Sequence, residues 1–263
     1  MILERIAQQR RESLRALIGT EAEERVRAEA CAVCVPSQDL ATALTTLPGV
    51  SIIAEVKRRS PSAGDIRPDL QPAALARAYV SGGAAAVSVI TEPDHFAGSI
   101  ADLIEVRRAL TGESRLPVLL KDFILTPYQV YQARAAGADA VLLIAACLTD
   151  EELESLYGLA TGLGMSALVE IHDEAELDRV AALRPKVIGI NNRDLRTFGV
   201  DLTTTIRLGP RAARLGVVVS ESGIKSPDDV RTVARAGADA VLVGESLVRS
   251  HDVVQTLRCL REA

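Results

Sequence analysis

A chain of 263 residues, 48% of them hydrophobic, can bury a sizeable core as one large α/β domain or as two small ones. Thirty basic against 35 acidic residues leave a net charge of −5, which speaks against a dedicated nucleic-acid or membrane-surface binder, because no basic field exists to attract phosphate backbones. The longest apolar run, residues 140–148, is half the about 18 residues that a membrane span needs.

The N-terminal stretch carries Glu4 and Glu12 and lacks a long apolar segment, so it reads as neither signal nor transit peptide, and a cytoplasmic location is expected. Ile2, Leu3, Ile6, Leu14, Leu17 and Ile18 fall at the spacing of an amphipathic helix, and a second, charged helix is predicted from Glu21 to Ala32. Cys31-Ala-Val-Cys34 has the C-x-x-C spacing, but no second pair or nearby histidine completes a zinc site. With Cys147 and Cys259 these residues are read as small apolar side chains. Pro48-Gly49 marks a turn, which sets residues 1–48 apart as a helical extension from a domain over 49–263.

From there a short β-branched run alternates with a longer helical stretch. Strands are predicted at 51–57, 85–90, 117–121, 138–145, 166–171, 186–191, 216–221 and 239–244, with helices between them, such as 72–81 and 127–136, and a last one at 251–261. "AGADAVLL" at 136–143 recurs as "AGADAVLV" at 236–243, and "SGGAAAVSV" at 81–89 is a looser copy; each ends a helix on glycine and enters a strand. The close copies fall on the fourth and eighth strands, half of a symmetric object. Eight βα units over about 215 residues have the proportions of a (β/α)8 TIM barrel. A doubly wound sheet is the alternative, but no G-x-G-x-x-G follows the first strand.

In such a barrel the active site forms at the C-terminal ends of the strands, and here those ends are polar. Glu55 and Lys57 end the first strand, two residues apart and therefore on one face, the face of Ile53. Lys121 and Glu170 keep the parity of apolar residues two places earlier on the third and fifth strands. Asn191 and Arg193 close the sixth, Glu221 the seventh, and Gly244-Glu245 the eighth. Two lysines and several carboxylates around one mouth can deliver and remove protons. Burial beside another cation lowers a lysine towards working pH, and an apolar wall raises a carboxylate. No Ser-His-Asp set is available: His172 follows Glu170 but is expected on the opposite face, and His251 is placed in the last helix. No H-x-x-x-H or carboxylate cluster suggests a metal.

Ser222-Gly223 and Gly244-Glu245 follow the seventh and eighth strands, where glycine lets backbone N–H groups approach an anion; in the stretch Ser60-Pro61-Ser62 the two serines can add hydroxyls. Glu245 would have to turn its carboxylate away. The residues alone therefore indicate a barrel enzyme for a small phosphorylated, carboxylated substrate. They do not separate ring closure from a phosphosugar isomerase of the same fold, such as the phosphoribosylanthranilate isomerase type. A catalytically silent phosphosugar-binding barrel is a third reading, opposed by four costly charged groups in one cavity.

"IIAEVKRRSPS", "SVITEPDHFAGS", "PVLLKDFI", "ADAVLLI", "ALVEIHDEAEL", "IGINNRDLRTF", "VVVSESGI" and "AVLVGESLVR", taken in order, resemble the indole-3-glycerol phosphate synthases of tryptophan biosynthesis over the whole chain. The resemblance implies a (β/α)8 barrel whose N-terminal helices lie near the mouth. It also implies pyrrole ring closure of 1-(2-carboxyphenylamino)-1-deoxyribulose 5-phosphate with loss of carbon dioxide and water, using neither cofactor nor metal. By motif, Lys121 would protonate the ketone, Lys57 would hold the substrate carboxylate and act in dehydration, and Glu170 and Glu55 would be the acid–base partners. Asn191, Arg193 and Glu221 would hold substrate and the carboxylate array. Ser60, Ser222, Gly223, Gly244 and Glu245 would bind phosphate, the last through its backbone, and Phe96, Phe123, Leu142 and Leu195 would pocket the aromatic ring. Ala63 stands where many relatives carry Lys or Glu, and no fused isomerase or amidotransferase domain is expected. The expected partner is the small-molecule substrate, with no nucleic acid or membrane, and the expected state is a monomer or weak homodimer.

Overall fold

The structure, a computed structural model, describes residues 2–194, 197 and 199–262, apart from the side chains of Ile2, Leu3 and Glu113. Three helices come first: α1 (Ile2–Arg15), α2 (Glu21–Ala32) and α3 (Leu40–Thr45). Strand β1 (Ser51–Val56) leads into a short antiparallel hairpin, β2 (Arg59–Ser60) and β3 (Gly64–Asp65), and then α4 (Pro72–Gly82). The alternation continues through β4 (Ala86–Ile90), α5 (Ile100–Ala109), β5 (Val118–Lys121), α6 (Pro127–Ala135), β6 (Ala140–Ile144) and α7 (Asp150–Gly162). It ends with β7 (Ser166–Ile171), α8 (Glu174–Ala181), β8 (Val187–Asn191), α9 (Thr203–Ala212), β9 (Val217–Glu221), α10 (Pro227–Arg235), β10 (Ala240–Val243), α11 (Glu245–Val248) and α12 (Val253–Arg261).

Eight parallel strands close into a barrel in the order β1-β10-β9-β8-β7-β6-β5-β4, as the eight predicted runs require. The strand positions agree with expectation to within one or two residues. The β2–β3 hairpin and α3 have no counterpart in the predicted elements. Both are too short for a periodic signal, and α3 owes its existence to what it covers.

Strand alternation separates two cores. Ile52, Ala54 and Val56 face the helices in the outer core, whereas Ile53 joins Leu119, Leu168 and Val219 inside the barrel. Leu40 and Leu44 of α3 belong to this inner core and are fully buried. They plug the end at which the strands begin. Leu40 N–H donates to Ser166 Oγ (3.0 Å) at the start of β7, and Gln38 N–H donates to Asp139 Oδ1 (2.9 Å) just ahead of β6. Asp39 caps α3 by accepting from Thr42 N–H at 2.8 Å. The extension thus runs from α1 at the barrel mouth, along α2 packed on α6, to the barrel floor. No helix among the described residues is long and apolar enough to cross a membrane.

The repeated motif has a structural meaning. Gly137 and Gly237 take the left-handed conformation (φ 87° and 95°) that ends α6 and α10, and Gly83 does the same after α4 (φ 85°). Asp139 and Asp239 then each accept an N–H at the start of the neighbouring strand: Val118 N–H to Asp139 Oδ2 (3.0 Å) and Val218 N–H to Asp239 Oδ2 (2.9 Å). Asp139 carries more. It is 2% exposed, pairs with Arg107 (2.8 Å), and receives Gln38 from the plug segment.

The two aspartates should therefore differ in worth. Asp139→Ala leaves Arg107 without its buried partner and should cost about 3–5 kcal/mol, whereas Asp239→Ala, half-buried, should cost about 1 kcal/mol. Equilibrium urea unfolding of the two variants checks the order; equal losses would contradict it.

Candidate active site

Two residues beyond Ile53, Leu119, Leu168 and Val219 on the same strands stand Glu55, Lys121, Glu170 and Glu221. They come from alternate strands of the barrel, the arrangement by which such barrels fill their interior in layers of four. Here one layer is charged. The three carboxylates are 3% exposed or less, and they lie directly on an apolar layer.

Each carboxylate has a cation. Lys57 Nζ lies 2.9 Å from Glu55 Oε1. Lys121 Nζ donates to Glu221 Oε2 and lies 3.8 Å from Glu55 Oε2. Glu170 Oε1 accepts from Asn191 Nδ2 (3.1 Å) and faces His172 Nε2 at 3.2 Å. This corrects the expected direction of His172. It follows Glu170 at the same spacing at which Lys57 follows Glu55, so both pairs fall on one side of their strands. His251 also differs from expectation: it precedes α12, whose N-cap is Asp252.

The electrostatics follow from this packing. Burial penalises the ammonium of Lys121, but Glu221, Glu55 and Glu170 outweigh it and hold its pKa above the ordinary lysine value. This reverses the lowered value expected for a lysine beside another cation, because carboxylates are its nearest neighbours. Burial raises Glu55, yet Lys57 and Lys121 bring it below the ordinary value. Burial likewise raises Glu170, but hydrogen bonding and charge from His172, with Lys121 and Asn191, pull it low. Glu221 goes the other way: burial and the charges of Glu170 and Glu55 outweigh Lys121, so it holds its proton to higher pH.

Two glycines make room for the layer. A Cβ on Gly189 would collide with Glu221 Oε1, and one on Gly244 would collide with Glu55 Oε1 and crowd Lys57 Nζ at 3.2 Å. Gly244, expected as part of a phosphate loop, thus also seats a carboxylate. Tyr79 on α4 fixes the strand end by donating its hydroxyl to the Glu55 carbonyl (2.8 Å).

The layer is the floor of a cavity of about 860 Å³. Its lining includes Lys57, Ser60, Phe96, Phe123, Leu142, Asn191, Arg193, Ser222, Gly223, Gly244 and Glu245, together with Glu55, Lys121 and Glu170. Glu221 sits beneath Lys121 rather than in the wall, and Leu195 lies outside the described residues. Phe96 and Phe123 approach with ring centroids 6.5 Å apart. The Glu245 carboxylate turns to Arg249 Nε (3.0 Å), one helical turn on. Ser222 and Gly223 both have positive φ (64° and 91°). Asn192 holds that turn by donating Nδ2 to the Glu221 and Ser222 carbonyls (2.9 and 3.1 Å). Ser60 lies in the β2–β3 hairpin, its Oγ accepting from Ala63 N–H at 3.1 Å.

Residues that sequence reasoning missed complete the wall. Ile6 of α1 lines the cavity, and α1 is held there by Arg10, which donates Nε and Nη2 to Asp122 (3.1 and 2.8 Å), the residue after Lys121. Buried Glu92 accepts the N–H groups of Asp94, His95 and Phe96 (3.1, 2.8 and 3.0 Å) and so aims the Phe96 loop. Lys225 also lines the cavity, and its signal was present: of 30 basic residues 26 are arginine and four are lysine, yet Lys57, Lys121 and Lys225 share this one site. Arginine does not give up its proton near neutrality, whereas the protonation of a lysine responds to its surroundings. Among the described residues no group of His, Cys, Asp and Glu is arranged to hold a metal ion.

Filling the Gly189 void tests the floor. Gly189→Ala should push Glu221 off Lys121 and lower turnover about 100-fold with the fold retained by circular dichroism; wild-type turnover would mean that the placement of Glu221 is immaterial.

Known proteins resemble this chain in sequence and in fold. The family model described as indole-3-glycerol phosphate synthase matches residues 3–260. An indole-3-glycerol phosphate synthase of a Nocardioides species is 53% identical over 190 residues, 72% of each chain. Indole-3-glycerol phosphate synthase 2 of Ralstonia nicotianae is 49% identical over 205 residues, 77% of this chain and 75% of that one. Among solved structures, 3-hexulose-6-phosphate synthase from Salmonella typhimurium superposes with a TM-score of 0.64 at 13% identity, covering 81% of this chain and 97% of its own. Thiamine phosphate pyrophosphorylase from Pyrococcus furiosus does so with a TM-score of 0.61 at 18% identity, covering 81% and 94%. Those two likenesses concern the fold alone. By the family model and the sequence identities, the chain belongs to the indole-3-glycerol phosphate synthase family.

Proposed function

We propose that this chain is a carboxy-lyase of tryptophan biosynthesis. It closes the pyrrole ring of 1-(2-carboxyphenylamino)-1-deoxyribulose 5-phosphate, releasing carbon dioxide and water to leave indole-3-glycerol phosphate. The observation that carries the reading is Lys121, an ammonium held between Glu221 and Glu55 on the floor of an apolar-walled cavity.

In this account Lys121 donates its proton to the ketone oxygen as the aromatic carbon attacks. Its charge stabilises the oxyanion that develops there. Lys57, anchored by Glu55, binds the substrate carboxylate and supplies a proton when water leaves. Glu170 is the partner acid–base group, with Asn191 on its Oε1 and Arg193 at the cavity wall. Glu221 and Glu55 keep Lys121 charged until the substrate arrives. The phosphate binds at Ser60, Ser222, Gly223, Gly244 and the backbone of Glu245, whose carboxylate is drawn off by Arg249. Phe96, Phe123 and Leu142 enclose the aromatic ring. Residues 1–48 act as an accessory extension that gives Ile6 to the site of the 49–263 catalytic domain, and the enzyme works in the cytoplasm as a monomer or weak homodimer.

Incubation with the carboxyphenylamino-deoxyribulose phosphate should produce indole absorbance and fluorescence; folded protein that yields none would overturn the assignment. Lys121→Ala should lower kcat about 100- to 10,000-fold, the usual cost of a lost general acid, and near-normal turnover would remove its role. Ser222→Ala should raise KM with little change in kcat, and an unchanged KM would contradict the phosphate assignment.

A further inference from the structure

Each carboxylate of the charged layer is matched to a cation, but only two of those cations are lysines. Lys57 serves Glu55 and Lys121 serves Glu221. The cation in contact with Glu170 is His172, with Nε2 at 3.2 Å from Oε1. On the far side of the ring, Nδ1 lies 3.1 Å from Glu176 Oε2, and the same oxygen accepts the backbone N–H of His172 at 2.9 Å. Glu176 belongs to the first turn of α8, with its own N–H held by Asp173 (2.9 Å). Both ring nitrogens therefore face carboxylate oxygens. Nδ1 is within hydrogen-bond reach of Glu176, while Nε2 meets Glu170 at ion-pair distance without hydrogen-bond alignment, and two carboxylates against one ring favour its charged form.

We propose that His172 is a positioning residue, an imidazolium clamped by Glu176 that holds Glu170 as a carboxylate for proton transfer. Without it Glu170 would share the barrel interior with Glu55 and Glu221, and burial plus two like charges would favour its neutral form. The Asn191 and His172 contacts both engage Oε1, so Oε2 is the oxygen that meets the reacting proton. The ring depends on the same pairing: burial opposes its charge, but Glu170 and Glu176 raise His172 to about 10.

The other charged and titratable groups around the pair do not replace it. Lys121, Glu55 and Glu221 act on Glu170 from across the barrel, with Lys121 committed to Glu221. Behind the ring, the Cys147 thiol is pushed up to about 12 by burial and by Glu170 and Glu176, so it stays neutral. Arg11 of α1 is spent on Glu152 (3.0 Å) and on the Cys147 carbonyl (3.2 Å).

The inference rests on Glu170 being the acid–base partner, and two readouts separate the claims. Glu170 must be ionised to accept a proton, so activity falls as pH drops through its pKa, which the imidazolium depresses. His172→Asn should move the acid limb of the kcat–pH profile up by about 1 to 3 pH units and leave KM at pH 8 within about twofold of wild type. An unmoved limb in folded variant would overturn the proposal. Nitrogen-15 NMR of the three histidine rings reads the clamp without turnover, even if the Asn variant does not fold. The wild-type His172 ring should remain doubly protonated at pH 8, and Glu176→Gln should lower its titration midpoint. A wild-type ring titrating near the ordinary 6.5 would refute the clamp whether or not the enzyme makes indole.

Discussion

Three carboxylates inside an apolar barrel are the constraint on which the rest of this molecule depends. An isolated buried carboxylate would protonate rather than remain charged. Glu55, Glu170 and Glu221, each 3% exposed or less, can share one layer only because three cations enter it with them. The pairing is asymmetric. Glu55 and Glu170 are held low by their partners, while Glu221, caught between two like charges, retains its proton to higher pH. Lys121 is the member that all three carboxylates stabilise as an ammonium. A site organised in this way holds a proton over an apolar floor before any substrate is bound.

The scaffold is shaped around that layer from both ends. Below it, Ile53, Leu119, Leu168 and Val219 make an apolar stratum, closed off by Leu40 and Leu44 of the plug helix. Around it, the missing side chains of Gly189 and Gly244 leave the volume that two carboxylates fill. The 100-residue repeat fixes the barrel floor through Asp139 and Asp239, which tie neighbouring strands near their starts. The mouth is completed by the chain's beginning, since Arg10 reaches from α1 to the residue next to Lys121. Floor and mouth are thus both tied to the N-terminal extension.

Much of this is legible in the sequence, and what is not has physical reasons. The eight strands declare themselves by β-branched runs, and the repeat announces their symmetry. Charges at the parity of core residues, as at Glu55, Lys121 and Glu170, mark the mouth before any coordinates exist. The plug helix, only six residues long, has no periodicity to read. Arg10 and Asp122 lie 112 positions apart, and no local pattern joins them. His172 is a different case. The two-residue rule that pairs Glu55 with Lys57 also pairs Glu170 with His172, so the sequence does carry its position, against the opposite face expected for it. The direction of the Lys121 pKa, by contrast, depends on which charges are nearest, and that is decided only when the barrel closes.

The claim at the centre of this account is that the carboxylate layer keeps Lys121 charged. The chain has four lysines, so their side-chain resonances can be assigned by substitution and followed by heteronuclear NMR across the alkaline range. The account predicts that Lys121 is still an ammonium at pH 10.5, the ordinary lysine value, and that Glu221→Gln brings its titration down. A Lys121 that titrates at or below that value in the wild-type enzyme would contradict it.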